Sequence, residues 1–210
     1  MVWDPRSLPS QSGKTFVVTG GNAGVGYFTS EQLAGAGGRV ILAARNRDKA
    51  EAAMGSIRSR ITGAEVEFVQ LDLTSLDSVR AAADELSARG PIDALVNNAG
   101  LVISPPRRQV TSDGLELIVG GNALGHFALT AQVFPALAPS GRVVGLGSMS
   151  TRMVRLNASD LLSERRYRPF RAYAFSKHAV HGFACELDRR LRAAGDARRS
   201  MLAHPGFAIT

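Results

Sequence analysis

Tyr173 and Lys177 stand four residues apart in Tyr173-Ala174-Phe175-Ser176-Lys177, inside a stretch whose spacing predicts helix. Positions i and i+4 share one helix face a turn apart, so a phenol and an ammonium would lie side by side. A tyrosine normally titrates near pH ~10. A neighbouring cation favours the phenolate and draws the group toward the working range of a general acid–base. Amphipathic helices also produce this spacing by chance, so the pair gains meaning only from its companions.

One companion is the loop Thr19-Gly20-Gly21-Asn22-Ala23-Gly24-Val25-Gly26, which directly follows a β-branched run at 15–19. Gly20 suits a tight turn, Gly24 lets backbone approach a pyrophosphate, and Gly26 permits close packing of the next helix. That helix would aim its first N–H groups at an anion, with Asn22, Ala23 and Val25 lining the approach. A flexible loop without a ligand is the alternative. Another hydroxyl, Ser148, stands just past the run 142–146, separated from it by Gly147. Ser150, two residues on, competes with it; Ser148 is preferred because it directly follows Leu146-Gly147 at the strand end.

These groups need a frame. Short apolar runs at 15–19, 39–43, 65–69, 92–96, 142–146 and around 200–203 read as buried parallel strands. Helical spacing fills about 24–36, 46–60, 75–89, 113–137 and 168–194. The alternation predicts an α/β fold, a single doubly wound parallel sheet with helices on both faces. Residues 1–12, with Pro5, Pro9, Ser10 and Ser12, read as a loose tail before one domain over 13–210.

Composition bounds the function. The hydrophobic share of 45% and charged share of 20% are ordinary for a soluble globular protein. No uninterrupted apolar run approaches the ~18 residues of a membrane span and the N-terminus lacks a signal-peptide pattern, so a cytoplasmic protein without a membrane partner is expected. Cys185 is the only cysteine, which excludes an internal disulfide; it is expected to be a small buried helix residue. The net charge is +7, and all but three of the 25 basic residues are arginine. Clusters at Arg165-Arg166, Arg189-Arg190 with Arg192, and Arg198-Arg199 could serve nucleic acid. No stacking run accompanies them, and solvated helix ends are the favoured reading, with no nucleic-acid partner. His178 and His181 lie three apart on one predicted helix, but no third ligand is evident and no metal is expected.

Taken together, the motifs resemble the short-chain dehydrogenase/reductase family over nearly the whole chain. The glycine loop has its TGxxxGxG spacing, Asn97-Asn98-Ala99-Gly100 its NNAG motif, and Asn122-Ala123-Leu124-Gly125-His126-Phe127 its NxxGxF helix. Tyr173 and Lys177 form YxxxK, Ser148 stands where the catalytic serine does, and Pro205-Gly206 with Thr210 matches PGxxxT. The resemblance implies a Rossmann sheet of order 3-2-1-4-5-6 and hydride transfer between a nicotinamide and a carbonyl or alcohol. Tyr173 would be the acid–base and Ser148 would bond the reacting oxygen. Lys177 would tune Tyr173 and bind the ribose, and Asn122 would hold a helix kink and a water. Asp72 and Leu73 would contact adenine, with Asn98, Ala99 and Gly100 beside the cofactor and Pro205, Gly206 and Thr210 closing over it. A catalytically silent nucleotide sensor or scaffold is the alternative.

The second strand ends in Ala43-Ala44-Arg45, with Ala44 where NAD-using members tend to have Asp. Arg45 could pair with a 2′-phosphate, assisted by Asn22, so NADP is expected over NAD unless Arg45 merely faces solvent. The wide gap between Ser148 and Tyr173 resembles the retinol-dehydrogenase-like branch, without that branch's usual N-terminal anchor. Family members continue past PGxxxT with a substrate-covering segment and a last strand, so the chain is expected to be C-terminally short. A homodimer or homotetramer is implied, through helices carrying Leu117, Phe127, Phe134, Val180, Phe183 and Leu187.

Overall fold

The computed structural model describes residues 8–206, so Thr210 lies outside the described residues. Six strands form one parallel sheet: β1 Thr15–Thr19, β2 Arg39–Ala44, β3 Val66–Gln70, β4 Ile92–Asn97, β5 Leu137–Leu146 and β6 Arg199–Ala203. Their order is β3-β2-β1-β4-β5-β6, as expected. The sequence alternation explains the two faces. Val17, Ile41, Val69 and Leu95 point into one apolar cluster, while Phe16, Val18, Val40 and Leu42 point into the other. Every one of these strands is covered on both sides, which is why its residues read as continuous apolar runs.

The helices are α1 Gly24–Gly35, α2 Arg47–Arg60, α3 Leu76–Ala88, α4 Leu117–Ala136, the short α5 Ser150–Met153 and α6 Pro169–Ala193. Asn46 caps α2 by accepting from the Lys49 N–H at 2.8 Å, and Ser75 caps α3 through the Ser78 N–H at 3.3 Å. α1 differs: Ala23 stands at its N-cap without a side-chain acceptor.

Three elements depart from the sequence reading. β5 begins at Leu137, because Leu137 pairs with Ile92 before a register break restores pairing at Ala94 and Arg142. α4 begins at Leu117, not 113. The fully buried Glu116 accepts from Ile118 N at 3.1 Å and Val119 N at 2.8 Å, and so ends the preceding loop. By length and composition α4 could also span a membrane, against the expectation that no segment comes near; 61% of its most apolar window is buried. Its Gly120-Gly121-Asn122 stretch interrupts the apolar run in the sequence but not the helix, which passes through a π turn at Gly120–Leu124. The third departure is Cys185, which is exposed: the buried face of α6 passes through Val180 and Ala184, and Cys185 lies one position around from it.

Candidate active site

The glycine loop is built by close approaches. Gly20 has φ +65° and Gly24 φ +52°, both in the left-handed region where glycine is unstrained. A Cβ at Gly26 would lie 2.4 Å from the Gly20 carbonyl oxygen and 2.4 Å from Asn98 Nδ2, so no larger residue fits there. Thr19 is fully buried and its Oγ1 accepts from the Asn98 and Ala99 N–H groups, each at 2.9 Å. Asn98 Nδ2 donates to the Thr19 carbonyl at 2.8 Å, so this side chain braces the loop. With no cap on α1, its first N–H groups remain available to an anion.

A cleft of about 260 Å³ opens beside this loop at the C-terminal ends of β1 to β4. Of the residues singled out from sequence, it gathers Gly20, Asn22, Arg45, Asp72, Leu73, Ala99, Gly100 and Asn122. Asp72 Oδ1 is occupied by Thr74, accepting from its N–H at 2.9 Å and its hydroxyl at 2.6 Å. Lys49, from the first turn of α2, lines the same cleft with Arg45 and escaped the sequence reading. The signal available was its place in the first turn of the helix that directly follows the β2 strand end. Ala23, Gly24, Val25 and Gly26 form the loop and start of α1 rather than the cleft wall.

Behind the cleft, a second cavity with room for about one water brings together Ala99, Asn122, His126 and Lys177. Asn122 thus borders both spaces from the π turn of α4. Its Oδ1 accepts from Leu101 N at 2.7 Å, and its Nδ2 donates to Leu101 O at 3.0 Å and Ser176 Oγ at 3.2 Å. The side chain therefore stitches α4 to the loop after β4 and to α6. Lys177 is buried, and its Nζ donates to Leu146 O at 2.9 Å and sits 5.7 Å from the Tyr173 ring centroid. Desolvation lowers its pKa from the usual 10.5 to about 8.

Ser148 follows β5 as expected. Its Oγ accepts from the Ser150 N–H at 3.2 Å, which leaves the hydroxyl hydrogen to be donated outward. Ser150 itself is buried, which supports the choice of Ser148 for solvent-side chemistry. Pro205 and Gly206 lie exposed after β6 and line neither space.

The cleft beside the glycine loop and the cavity that holds Lys177 share Ala99 and Asn122. The sequence matches the short chain dehydrogenase family over residues 14–208. The chain belongs to the short-chain dehydrogenase family. Among similar short-chain dehydrogenases, the polyprenol dehydrogenase of Mus musculus is 41% identical over 213 residues, covering 98% of this chain and 63% of the relative. Retinol dehydrogenase 13 of Homo sapiens is 40% identical over 203 residues, covering 94% and 60%. The chain therefore spans less than two thirds of these relatives' length. A crystal structure of an uncharacterized protein from Mycobacterium Paratuberculosis superposes with a TM-score of 0.88 at 43% identity, covering 99% of this chain and 74% of that one. The similarity to a retinol dehydrogenase accords with the wide Ser148–Tyr173 gap.

In this short-chain dehydrogenase the gap is a built segment. Tyr167 donates its hydroxyl to Pro105 O at 2.8 Å, and Arg108 Nε donates to Leu162 O at 3.1 Å. These bonds tie the segment between Ser148 and Tyr173 to the loop after β4. Exposed on the two tied segments are Val102, Ile103, Met149, Met153, Leu156 and, on the first turn of α6, Phe170. No spacing rule marks these residues in the sequence; the Tyr167–Pro105 and Arg108–Leu162 bonds join the segments that carry most of them. Of the apolar residues considered for self-association, Val180 is buried and Leu187 and Phe134 pack on the core. Phe127 stays 52% exposed, edge-on to Phe183 at 5.2 Å.

Proposed function

We propose that the protein is an NADP-preferring oxidoreductase acting on the carbonyl or alcohol group of a substrate with a sizeable apolar part. The buried Lys177 ammonium beside the Tyr173 ring carries this assignment. A buried cation is costly unless its charge is used, and here it stands one helical turn from the phenol that would handle the proton. The loop and cleft fit a dinucleotide. Gly20 and Gly26 leave the backbone bare where a Cβ would collide, and the uncapped first turn of α1 offers N–H donors for the pyrophosphate. Arg45 and Lys49 stand at the end of β2 with Ala44 in place of an acid, which favours a 2′-phosphate. When bound, the nicotinamide supplies or accepts the hydride.

The chain's own groups then handle the proton and the charge. Tyr173 donates its phenolic proton to the substrate oxygen in the reductive direction and removes it in the oxidative one. Ser148 donates its hydroxyl to the same oxygen and stabilises the charge that develops there. Lys177 sets its ammonium beside the phenol ring, and Asn122 fixes the π turn against α6. The rim of Val102, Ile103, Met149 and Met153 would take the apolar part of the substrate out of water, in keeping with relatives named for polyprenol and retinol. A cytoplasmic location and self-association through the exposed Phe127 face belong to the same proposal.

The decisive test is NADPH oxidation against apolar aldehydes and ketones. Tyr173→Phe is expected to lower turnover by at least roughly 100-fold, with the NADPH dissociation constant within about twofold of wild type by fluorescence titration. Saturable cofactor binding by the wild type with no turnover on a broad panel would instead mark a nucleotide sensor. The cofactor preference has its own test. Arg45→Glu should weaken NADPH by roughly tenfold or more and leave NADH nearly unchanged; equal or tighter NADH binding by the wild type would overturn it.

A further inference from the structure

We propose that His181 is a positioning residue for Ser148: its bare Nε2 holds the Ser148 backbone N–H and so sets where the hydroxyl points. The proposal rests on the functional reading in which Ser148 bonds the substrate oxygen. His181 lies one turn beyond Lys177 on α6, and its Nε2 is 3.3 Å from Ser148 N. The approach is made possible by Gly147, where a Cβ would fall 2.7 Å from that nitrogen.

Ser148 is gripped at three atoms. Its Oγ accepts from Ser150 N at 3.2 Å, and its carbonyl accepts from Thr151 Oγ1 at 2.9 Å. Both contacts are local, formed within the turn that carries the serine. The His181 bond alone reaches another element, and that element is the helix bearing Tyr173 and Lys177. One hydrogen bond therefore registers the serine against the tyrosine and lysine, which is what a shared reacting oxygen requires.

The bond needs a neutral imidazole, because an imidazolium carries N–H on both nitrogens and cannot accept. The surroundings favour neutrality. Facing His181 are Lys177 and His178 from α6 and His204 from the segment after β6, all of them cations when protonated. Burial, first, and then these neighbours hold its pKa below the usual 6.5. His178 is already engaged with the Val154 carbonyl at 2.7 Å. His204 lies 3.2 Å from Met149 N and 3.0 Å from Gly206 N. Neither His178 nor His204 hydrogen-bonds to Ser148, so the hold on its N–H from another element comes from His181.

The experiment compares the full chain with His181→Leu and His181→Gln, by NADPH-linked kinetics and by amide NMR across about pH 5 to 8. His181→Leu removes the acceptor and should lower kcat about fivefold to tenfold, with the cofactor dissociation constant unchanged. His181→Gln keeps an acceptor oxygen, and should recover kcat to within about twofold while flattening the acid limb of its pH profile. In the wild type, the Ser148 amide resonance should titrate together with the His181 ring, with a midpoint below 6.5, and this titration should vanish in His181→Gln. A Ser148 amide indifferent to His181, or wild-type kcat in His181→Leu, would overturn the proposal. The NMR measurement needs no turnover. An inactive wild type whose Ser148 amide still titrates with His181 would reject the functional reading and leave the His181–Ser148 bond standing.

Discussion

His126 is enclosed between two segments it joins, with Nδ1 2.9 Å from the Asn122 carbonyl oxygen and Nε2 2.9 Å from Thr19 Oγ1. A carbonyl only accepts, so Nδ1 carries the hydrogen and the bare Nε2 accepts a hydrogen bond from the Thr19 hydroxyl. Thr19 Oγ1 in turn accepts from Asn98 and Ala99, so the ring links the π turn of α4 to the glycine loop. Burial, chiefly, with the Lys177 charge, lowers its pKa to about 4 despite the carbonyl partner. The folded value lies below the unfolded one, so the stabilisation is complete above pH ~6.5 and lost as pH falls toward 4. Urea unfolding should therefore lose up to about 3 kcal/mol more in the wild type than in His126→Gln over that window; parallel declines would refute it. At this scale the sequence is legible where chemistry fixes spacing: Tyr173, Lys177, Asn122 and the glycines stand in their motifs. His126, His181 and Lys49 are not, because their roles depend on partners in other segments of the chain.

Elements are held in register by what glycines leave out. At Gly26 a Cβ would strike the Gly20 carbonyl, which is backbone and cannot rotate away, so α1 itself would have to shift. Gly55, on α2, has nothing within 4 Å of its Cβ position. The two alanine substitutions should therefore move stability in opposite directions. Gly26→Ala should cost about 1–3 kcal/mol and weaken dinucleotide binding, while Gly55→Ala should stabilise by up to about 1 kcal/mol. Thermal unfolding and cofactor titration of both variants check this; a stabilised Gly26→Ala would contradict the packing described. Strands and helices are legible in the sequence because burial on both faces gives strands their apolar runs, while caps such as Asn46 and Ser75 mark helix starts. The early start of β5 is not, since it is set by its neighbour Ile92, whereas the irregular helix turn at Asn122 is already implied by the motif that carries it.

Across the whole molecule, charge and apolar surface are distributed differently. Much of the clustered basic charge is locally paired: Arg189 and Arg190 with Glu186, Arg192 with Asp188 and Arg198 with Asp196. The exposed Val102, Ile103, Met149 and Met153 follow β4 and β5, at the sheet edge where the proposed catalytic groups lie. The sheet order that creates this edge is legible from the alternation of elements; the rim is not, because no spacing rule marks its residues in the sequence. Substrate selection should follow from that geometry. Each methylene removed from water is worth about 0.8 kcal/mol at full burial, or roughly fourfold in affinity. A series of straight-chain aldehydes with NADPH should therefore show kcat/KM rising about twofold to fourfold per added methylene, until the chain outgrows the rim. Ile103, 91% exposed, is the rim residue with most surface to bury, and Ile103→Ser should flatten the rise without changing cofactor affinity. A series with no dependence on chain length would remove the rim from substrate binding and leave the polar groups around Ser148 and Tyr173 to select the substrate alone.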